Sequence, residues 1–385
     1  MLVRLVAALF LSSTITFFVP QRALAQIGGN DIAFKRSEHL QRGINVNNWF
    51  AQRAAYPPDY LKSYIKSQDF RTIRTLGFDH VRLPIDPAPL LTEPLTNGLN
   101  AAHLALLDEA VKEILDNNLN VVLDIHPDTK YKESLKPPAN QRSFEDFWAA
   151  FATHFASRHF TKVDEDRIFF EILNEPEVID PAPLTRLEGE VVGKIRAAAS
   201  HFTIIAAAGN DSGLADLLNS QPVPDDPNVI YTFHYYRPDG FTQQGAKWSN
   251  QWLKPLSGVP YPQKQRDVLS KASSETSLAD QFRLNDYALQ QWDSRRIEAE
   301  ISFVRQWSEK HHVPVWCGEF GVIREGPPKG ARVAWLHDVR RALEKDKKNR
   351  IGWAMWDYCA NFGLAEDANG TRLVDLKVLK ALGMH

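Results

Sequence analysis

Short apolar runs rich in β-branched residues alternate with longer amphipathic segments along the chain. The short runs have the length of buried strands, and the longer segments repeat apolar positions every three or four residues, as helices do. Eight strands are predicted: Gly43–Asn47, His80–Pro84, Val121–Ile125, Ile168–Leu173, Thr203–Ala207, Val229–His234, Val313–Cys317 and Ile351–Met355. The predicted helices between them are Tyr60–Leu76, Ala101–Asn117, Phe144–Phe160, Leu184–His201, Arg295–His311 and Ala331–Lys345.

This alternation predicts repeated βα units around a parallel sheet. Eight such units fit a (β/α)8 TIM barrel, in which functional groups lie at the C-terminal ends of the strands. The alternative is an open doubly wound sheet, which normally carries a glycine-rich phosphate-binding turn after its first strand. The stretch GINVNNWF contains no such turn. We therefore predict an α/β fold, a (β/α)8 barrel, as a single domain over residues 26–385.

The first 25 residues differ from the rest, with Arg4 in a short basic start, an apolar stretch, and Ala23-Leu24-Ala25 as a small-x-small cleavage signal. They predict a signal peptide over residues 1–25. The alternative is a membrane anchor, but the apolar stretch is only about 15 residues long and a span needs roughly 20. We expect a secreted or periplasmic protein with no membrane attachment after cleavage.

Composition narrows the choice of partners. The chain has 45 basic and 47 acidic side chains and is 44% hydrophobic, so it can bury a large core and carries almost no net charge. A neutral substrate fits this balance better than nucleic acid, which requires a basic surface. We expect a monomer.

Cys317 and Cys359 are the only cysteines, and they fit either a disulfide bond or two buried thiols.

One connection, Arg237 to Asp293, is much longer than the others and contains Trp248 and Trp252. Loops of this length are uncommon unless they have a function. It is either a surface excursion with a small core of its own or a wall of a binding cleft.

Polar or aromatic side chains follow the apolar runs of several predicted strands. Because the C-terminal ends of barrel strands open onto one face, these side chains predict one pocket. In chain order they are Arg82, Asp124, His126, Asn174, Glu175, His234, Tyr236, Glu319 and Trp356. Each has an ordinary structural explanation when taken alone, and their convergence is what favours a site.

Two of these residues, Glu175 and Glu319, come from the fourth and seventh strands. Two carboxyl groups that face a shared gap are what cleavage of a glycosidic bond needs, one neutral to donate a proton and one ionised to attack. Arg82 and Tyr236 suit the orientation of Glu319, and Asn174 suits a hydrogen bond to a sugar hydroxyl. Glu171 lies deeper in the same strand as Glu175 and, like Asp124, is interpreted as supporting structure.

At these positions the chain resembles glycoside hydrolase family 5, the retaining β-glycanases that include many cellulases. The resemblance extends from RGINVNNW to WDYCANFG, and the residues that carry it are Arg82, His126, Asn174, Glu175, His234, Tyr236, Glu319 and Trp356. It implies that Glu175 is the general acid and base and that Glu319 is the nucleophile. The others would form a supporting polar shell, with Trp356 beside the reacting sugar. No cofactor and no metal are implied.

The resemblance leaves the substrate open, because the family cleaves β-mannan, xyloglucan, mixed-linkage and β-1,3-glucans as well as cellulose. The loop GFTQQGAKWSNQWLKPLSGVPYP, with Trp248 and Trp252, is similar to a loop of glucanase-like members and favours endo-β-1,4-glucanase activity. A sugar-binding barrel without catalysis is a second hypothesis. A metallohydrolase built from His126 and His234 is a third, but the first strand supplies no His-x-His pair.

Overall fold

The computed structural model describes residues 32–92, 98–158, 165–177, 179, 181–207, 209–223, 226–249, 251–274, 277–328, 330–368 and 370–384. The predicted signal peptide lies outside these ranges. Within them, every helix is too short or too polar to cross a membrane.

Eight parallel strands close into a barrel in which each strand pairs with the next along the chain and the last pairs with the first. The strands are β1 Arg42–Asn45, β2 His80–Ile85, β3 Asn120–Ile125, β4 Ile168–Glu171, β5 Thr203–Ala207, β6 Val229–Tyr235, β7 Val315–Phe320 and β8 Gly352–Met355. A separate antiparallel hairpin is formed by β9 Ala365–Ala368 and β10 Thr371–Val374. The predicted (β/α)8 barrel is confirmed.

Helices cover the outside of the barrel and contribute to the connections. They are α1 Ile32–Ser37, α2 Pro58–Tyr64, α3 Ser67–Thr75, α4 Ala101–Asp116, α5 Thr129–Ser134, α6 Pro138–Ser157, α7 Pro181–Ala198, α8 Leu214–Asn219, α9 Asp239–Thr242, α10 Gln265–Ser274, α11 Leu278–Gln290, α12 Ser294–His311, α13 Ala331–Glu344 and α14 Leu376–Ala381. A large apolar cluster fills the space between strands and helices.

A second, smaller cluster fills the inside of the barrel. Its strand residues alternate with outward-facing ones, as the two-residue period of a strand requires. They are Val122, Phe169, Ile205, Ile230, Trp316 and Ala354, and Ala33 and Leu40 complete the cluster. The next inward positions on β3 and β4 are the charged Asp124 and Glu171. Arg82 of β2, which pairs in register with Val122, contacts both carboxylates, and these residues begin the polar floor of the site.

One predicted helix is two helices in the structure, and another begins earlier than predicted. The predicted helix Tyr60–Leu76 is two helices, because Ile65 is extended and the Asp69 carboxylate accepts a hydrogen bond from the Lys66 amide to start α3. Helix α6 begins at Pro138 rather than Phe144. Proline is favoured in the first turn of a helix, where its missing N–H costs nothing.

The long connection between β6 and α12 contains α9, α10 and α11, so it is not a structureless loop. It has buried residues of its own, including Leu284 and Tyr287 on α11 and Trp292 after it. Its earlier part, by contrast, contributes Gln243 and Trp248 to the main cleft. Both interpretations of this segment therefore hold, each for a different part.

The two cysteines are not joined. Cys317 is buried in β7, and the half-buried Cys359 lies with its Sγ 3.6 Å from the Tyr64 hydroxyl. Both thiols are free.

Candidate active site

A cleft of about 530 Å³ opens at the C-terminal ends of the strands, the face on which the sequence predicts a site. Its lining residues are Asn47, Asn48, Gln52, His126, Glu175, Tyr236, Gln243, Trp248, Glu319, Trp356, Asp357, Asn361 and Phe362. Arg82, Asn174 and His234 are buried and bond to lining residues from beneath. The structure thus brings the predicted strand-end residues together.

Arg82, on β2, is the charged centre of the floor and is fully buried. Its Nε and Nη2 donate hydrogen bonds of 2.7 and 2.8 Å to the two carboxylate oxygens of Glu171. Its Nη1 donates to Glu319 at 2.6 Å, and Nη2 lies 3.0 Å from an Asp124 oxygen. Burial alone would lower the pKa of Arg82, but these three carboxylates outweigh it and raise that pKa well above its ordinary value.

A β-bulge in β7 turns Glu319 into the barrel. Phe233 of β6 pairs with Cys317 and His234 pairs with Glu319, so Gly318 has no partner of its own. Trp316 faces the inner cluster and Cys317 the outer one, so strict alternation would send residue 319 outward. The extra residue reverses this alternation, as bulges beside active sites commonly do.

Glycines on both sides of Glu319 allow this arrangement. A Cβ added at Gly318 would lie 2.6 Å from the Thr232 hydroxyl and 3.2 Å from Nε2 of His234. One added at Gly321 would lie 2.4 Å from the backbone oxygen of Trp356. A side chain would fit at neither Gly318 nor Gly321. The two glycines of the GEFG motif therefore let β6 and the Trp356 backbone approach closely on both sides of the Glu319 carboxylate.

Glu319 accepts two donated hydrogen bonds and is only slightly exposed. Besides Arg82, the Tyr236 hydroxyl donates to its second oxygen at 2.7 Å. Burial raises the pKa of Tyr236 well above its ordinary value, and the Glu319 charge adds to this effect, so the phenol keeps its proton. One oxygen is thus held by a guanidinium and the other by a hydroxyl, which presents Glu319 as an oriented carboxylate.

Glu175 has different surroundings at the end of β4. Its side chain is 28% exposed, and one of its oxygens lies 2.8 Å from Nδ1 of His234. Burial raises the pKa of Glu175, an effect that Lys132 and His126 oppose. Burial also lowers the pKa of His234 to about 4, so this histidine is neutral at pH 7. The His234 ring therefore contacts the Glu175 carboxyl group without placing a positive charge next to it.

Neutral His126 connects the floor to the cleft. Its Nδ1 shares a 2.8 Å hydrogen bond with Asp124, and its Nε2 lies 3.2 and 3.3 Å from the amide nitrogens of Gln52 and Asn174. Burial lowers the pKa of His126 to about 3. Because amide nitrogens only donate, Nε2 is the acceptor and Nδ1 carries the proton. Asn174 also accepts a hydrogen bond from Arg82 at 2.9 Å.

Two aromatic rings give the cleft flat apolar surfaces. Trp356 lies at its base and stacks on the His126 ring, with centroids 5.8 Å apart. Trp248 stands at the rim, 57% exposed, with its ring centroid 6.1 Å from that of Phe362. Such surfaces suit the apolar face of a pyranose ring.

Trp252, the other tryptophan of the predicted cleft loop, lies elsewhere. It is half-buried and is absent from the described residues that line the cleft. Its ring packs against Gly240, where an added Cβ would lie 3.0 Å away, and the Arg283 guanidinium lies 5.5 Å from the ring centre. Packing within the connection, rather than the cleft, accounts for this tryptophan.

The cleft geometry agrees with the comparison to known proteins. The sequence model of the cellulase family, glycosyl hydrolase family 5, matches residues 38–362. The chain belongs to this family. It is a cellulase-type glycoside hydrolase, as the resemblance at the strand ends implies.

Relatives within family 5 match most of this chain. Endoglucanase C of Acetivibrio thermocellus is 27% identical over 326 residues, covering 83% of this chain and 91% of that protein. Cellodextrinase A of Ruminococcus flavefaciens is 25% identical, covering 91% and 96%. The crystal structure of endoglucanase Cel5A from Thermotoga maritima has a TM-score of 0.72 at 27% identity and covers 91% of this chain and 99% of that one.

Several lining residues of this family 5 site were missed by the sequence reasoning. Asn47 and Asn48 lie just beyond Val46, the residue that follows β1, and Gln52 comes soon after them. Their signal was present, because GINVNNWF ends its apolar run on two asparagines, as the other strands end on polar groups. Asn45 was missed too, and its side chain accepts from Arg82 and donates to the Gly318 carbonyl.

Glu175, His234 and Glu319 are also the described residues whose ligand-type atoms come close enough to hold a cation, all within 4.8 Å of one another. The Arg82 guanidinium, 2.6 Å from Glu319, would repel such an ion. The same spacing brings the two carboxyl groups to the distance at which they can act on one bond.

Proposed function

We propose that this protein is a secreted or periplasmic retaining endo-β-1,4-glucanase that works by double displacement. The observation that carries the proposal is the pair of carboxyl groups, with oxygens of Glu175 and Glu319 within 4.8 Å of each other. Retaining glycosidases space these groups by about 5 to 5.5 Å, whereas inverting enzymes need about 6.5 to 9.5 Å to admit a water molecule. The spacing therefore supports retention.

In the first step Glu175 is the general acid. Its raised pKa favours the protonated form that can donate to the glycosidic oxygen as the bond to the anomeric carbon breaks. Glu319, oriented by Arg82 and Tyr236, attacks that carbon and forms a covalent glycosyl-enzyme intermediate.

In the second step Glu175, now ionised, removes a proton from water that attacks the anomeric carbon. The bond to Glu319 breaks, the sugar leaves with its original configuration, and both glutamates return to their starting states. Asn174 lies between Arg82 and His126, where its amide is held for a hydrogen bond to a sugar hydroxyl. Trp356 would lie under the ring of the reacting sugar.

The choice of β-1,4-glucan rests on the aromatic surfaces and on the relatives. The Acetivibrio relative is an endoglucanase, and the Thermotoga enzyme was solved in complex with cellobiose. The same Thermotoga enzyme was also solved with mannotriose, so β-mannan is the second candidate substrate. Xyloglucan and β-1,3-linked glucans are the next candidate substrates after β-mannan. The location outside the cytoplasm rests on the signal-like residues 1–25 alone.

The test is a product profile of the purified protein on cellotetraose, mannotetraose, laminaritetraose and a xyloglucan fragment. We expect cleavage of an internal bond of cellotetraose at the highest rate. Proton NMR of the first products should show the β-anomer before mutarotation. An α-anomer formed first would overturn retention, preference for another oligosaccharide would reassign the substrate, and activity on none would overturn the function.

A further inference from the structure

A buried lysine lies beside the site, and neither the sequence prediction nor the mechanism above uses it. Lys132 belongs to α5, the short helix that follows β3, and its side chain is only 4% exposed. Lysine is rarely buried to this extent without a partner. Its Nζ lies 2.9 Å from Oε1 of Glu177, whose side chain is 44% exposed.

Glu177 closes the turn that carries Glu175. The Glu177 amide donates a 2.7 Å hydrogen bond to the Glu175 carbonyl, which makes a tight turn across Pro176. Within that turn Glu175 has a φ of 40°, a left-handed conformation that costs energy for a residue with a side chain. Such a conformation persists only where the surroundings hold it, and the Lys132–Glu177 ion pair fastens the far end of the turn.

We propose that Lys132 is a positioning residue for the general acid: it anchors, through Glu177, the turn that aims Glu175, and it places a positive charge beside that carboxyl group. The proposal rests on the function proposed above, because it gives Lys132 a part in proton donation by Glu175. Lys132 itself touches neither the sugar nor the reacting atoms.

The two members of the ion pair act on Glu175 in opposite directions. The positive charge of Lys132 lowers the pKa of Glu175, and the negative charge of Glu177 raises it. Burial is the largest influence and raises this pKa. The other titratable or charged groups that face Glu175 are Asp124 of β3, His126 directly after β3, Asp211 after β5, His234 of β6, Tyr236 after β6 and Glu319 of β7.

Because Lys132 and Glu177 affect the pKa of Glu175 in opposite directions, replacing them should shift the pH dependence of activity in opposite directions. Activity should fall at alkaline pH as Glu175 loses its proton. Lys132→Met removes the charge that lowers the Glu175 pKa, so this alkaline limb should move up by about half a pH unit or more. Glu177→Gln should move it down. Lys132→Arg keeps the charge and should leave the limb near that of the unmodified protein.

Loss of the Lys132–Glu177 ion pair should also change how the cleavage rate depends on the leaving group of the substrate. A misaimed acid slows cleavage of cellotetraose, which needs proton donation, by roughly 10- to 100-fold. It should hardly affect formation of the glycosyl-enzyme from 2,4-dinitrophenyl β-cellobioside, whose leaving group needs no proton. Lys136→Met is the matched control, because Lys136 bonds to Glu133 at 2.8 Å with both side chains 51% exposed.

The experiment measures pH profiles of kcat/KM on both substrates for folded variants, with melting curves as the check on folding. Carbon-13 NMR of the labelled Glu175 carboxyl, assigned by its loss in Glu175→Gln, follows the same titration without turnover. Unchanged titration and unchanged leaving-group dependence in Lys132→Met would overturn the proposal, as would equal losses on both substrates. If the unmodified protein cleaves no β-glycoside, the proposed function fails, while the NMR titration still tests the effect of Lys132 on Glu175.

Discussion

The ends of β4 and β7 each present a glutamate to the same cleft, but they do so in different ways. Glu319 lies within β7, 5% exposed, and accepts hydrogen bonds from Arg82 and Tyr236. Glu175 follows β4 on a tight turn, 28% exposed, with the neutral His234 at 2.8 Å. The Glu319 carboxylate is held by two hydrogen-bond donors. For Glu175, burial is the largest influence on the pKa of the carboxyl group.

Two identical side chains thus have different surroundings, which is how the same residue type can serve in separate roles. Two donated hydrogen bonds orient the Glu319 carboxylate, whereas burial raises the pKa of Glu175 and favours its protonated form. Substitutions at the two glutamates, at a donor to Glu319 and at the rim of the cleft test this contrast.

Replacement of the held carboxylate should have the largest effect. Glu319→Gln keeps the size of the side chain but removes the proposed nucleophile, so kcat on cellotetraose should fall by at least about 10⁴-fold. The same loss should occur with 2,4-dinitrophenyl β-cellobioside, because attack on the anomeric carbon is needed whatever the leaving group. Steady-state kinetics on the two substrates measure this. Substantial activity on either would mean that another group attacks.

Replacement of Glu175, the proposed proton donor, should have a smaller and more selective effect. Glu175→Gln should lower kcat/KM on cellotetraose by about 10²- to 10⁴-fold, the usual contribution of general acid catalysis. With the dinitrophenyl glycoside the burst of released phenolate should remain, while turnover of the intermediate becomes slow. Added azide should restore turnover and give a β-glycosyl azide. Failure of rescue would contradict the assignment of Glu175 as the base.

The donor to Glu319 can be tested against its neighbour in sequence. Tyr236→Phe removes a hydrogen bond to a charged group, worth about 1.5 to 3 kcal/mol, so kcat/KM should fall by roughly 10- to 100-fold. The control is Tyr235→Phe, because the Tyr235 hydroxyl donates to Glu300, away from the cleft, at 3.0 Å. That variant should change kcat/KM little and lower the melting temperature. Equal kinetic losses in both variants would contradict the role of Tyr236.

The smallest effect is expected at the rim, away from both glutamates. Trp248→Ala should raise KM for cellotetraose by about 2- to 10-fold, since one aromatic surface is lost, and leave kcat nearly unchanged. Trp252→Ala should instead lower the melting temperature with little change in KM, because this ring packs within the connection. Kinetics and thermal unfolding of the pair separate the two roles. A reversal of the effects would place Trp252, not Trp248, against the sugar.

Much of the barrel and the residue types of its site were predictable from the sequence, because they depend on local pattern. The apolar runs located all eight strands within a few residues, and the polar groups that follow them named Arg82, Glu175 and Glu319. The break after Tyr64 was missed, because capping by Asp69 competes with a helical period that continues across it.

Features that depend on contacts between distant segments were not predictable. Trp248 and Trp252 are alike in sequence, and only the packing of Trp252 against Gly240 and the Arg283 side chain separates them. The pairing of Lys132 with Glu177 joins helix α5 to the turn after β4, 45 residues further along the chain. Nothing in the local pattern around Lys132 marks it as buried.

The order of apolar and polar positions along the chain is enough to identify the residues at the strand ends, because it sets where a strand stops and which side chains follow it. How those residues are oriented depends on contacts between distant segments. The bulge at Gly318 turns Glu319 inward, and the left-handed turn presents Glu175 to the same gap. Both depend on the closure of the barrel, since only neighbouring strands and helices can hold a backbone in conformations that it would not adopt alone.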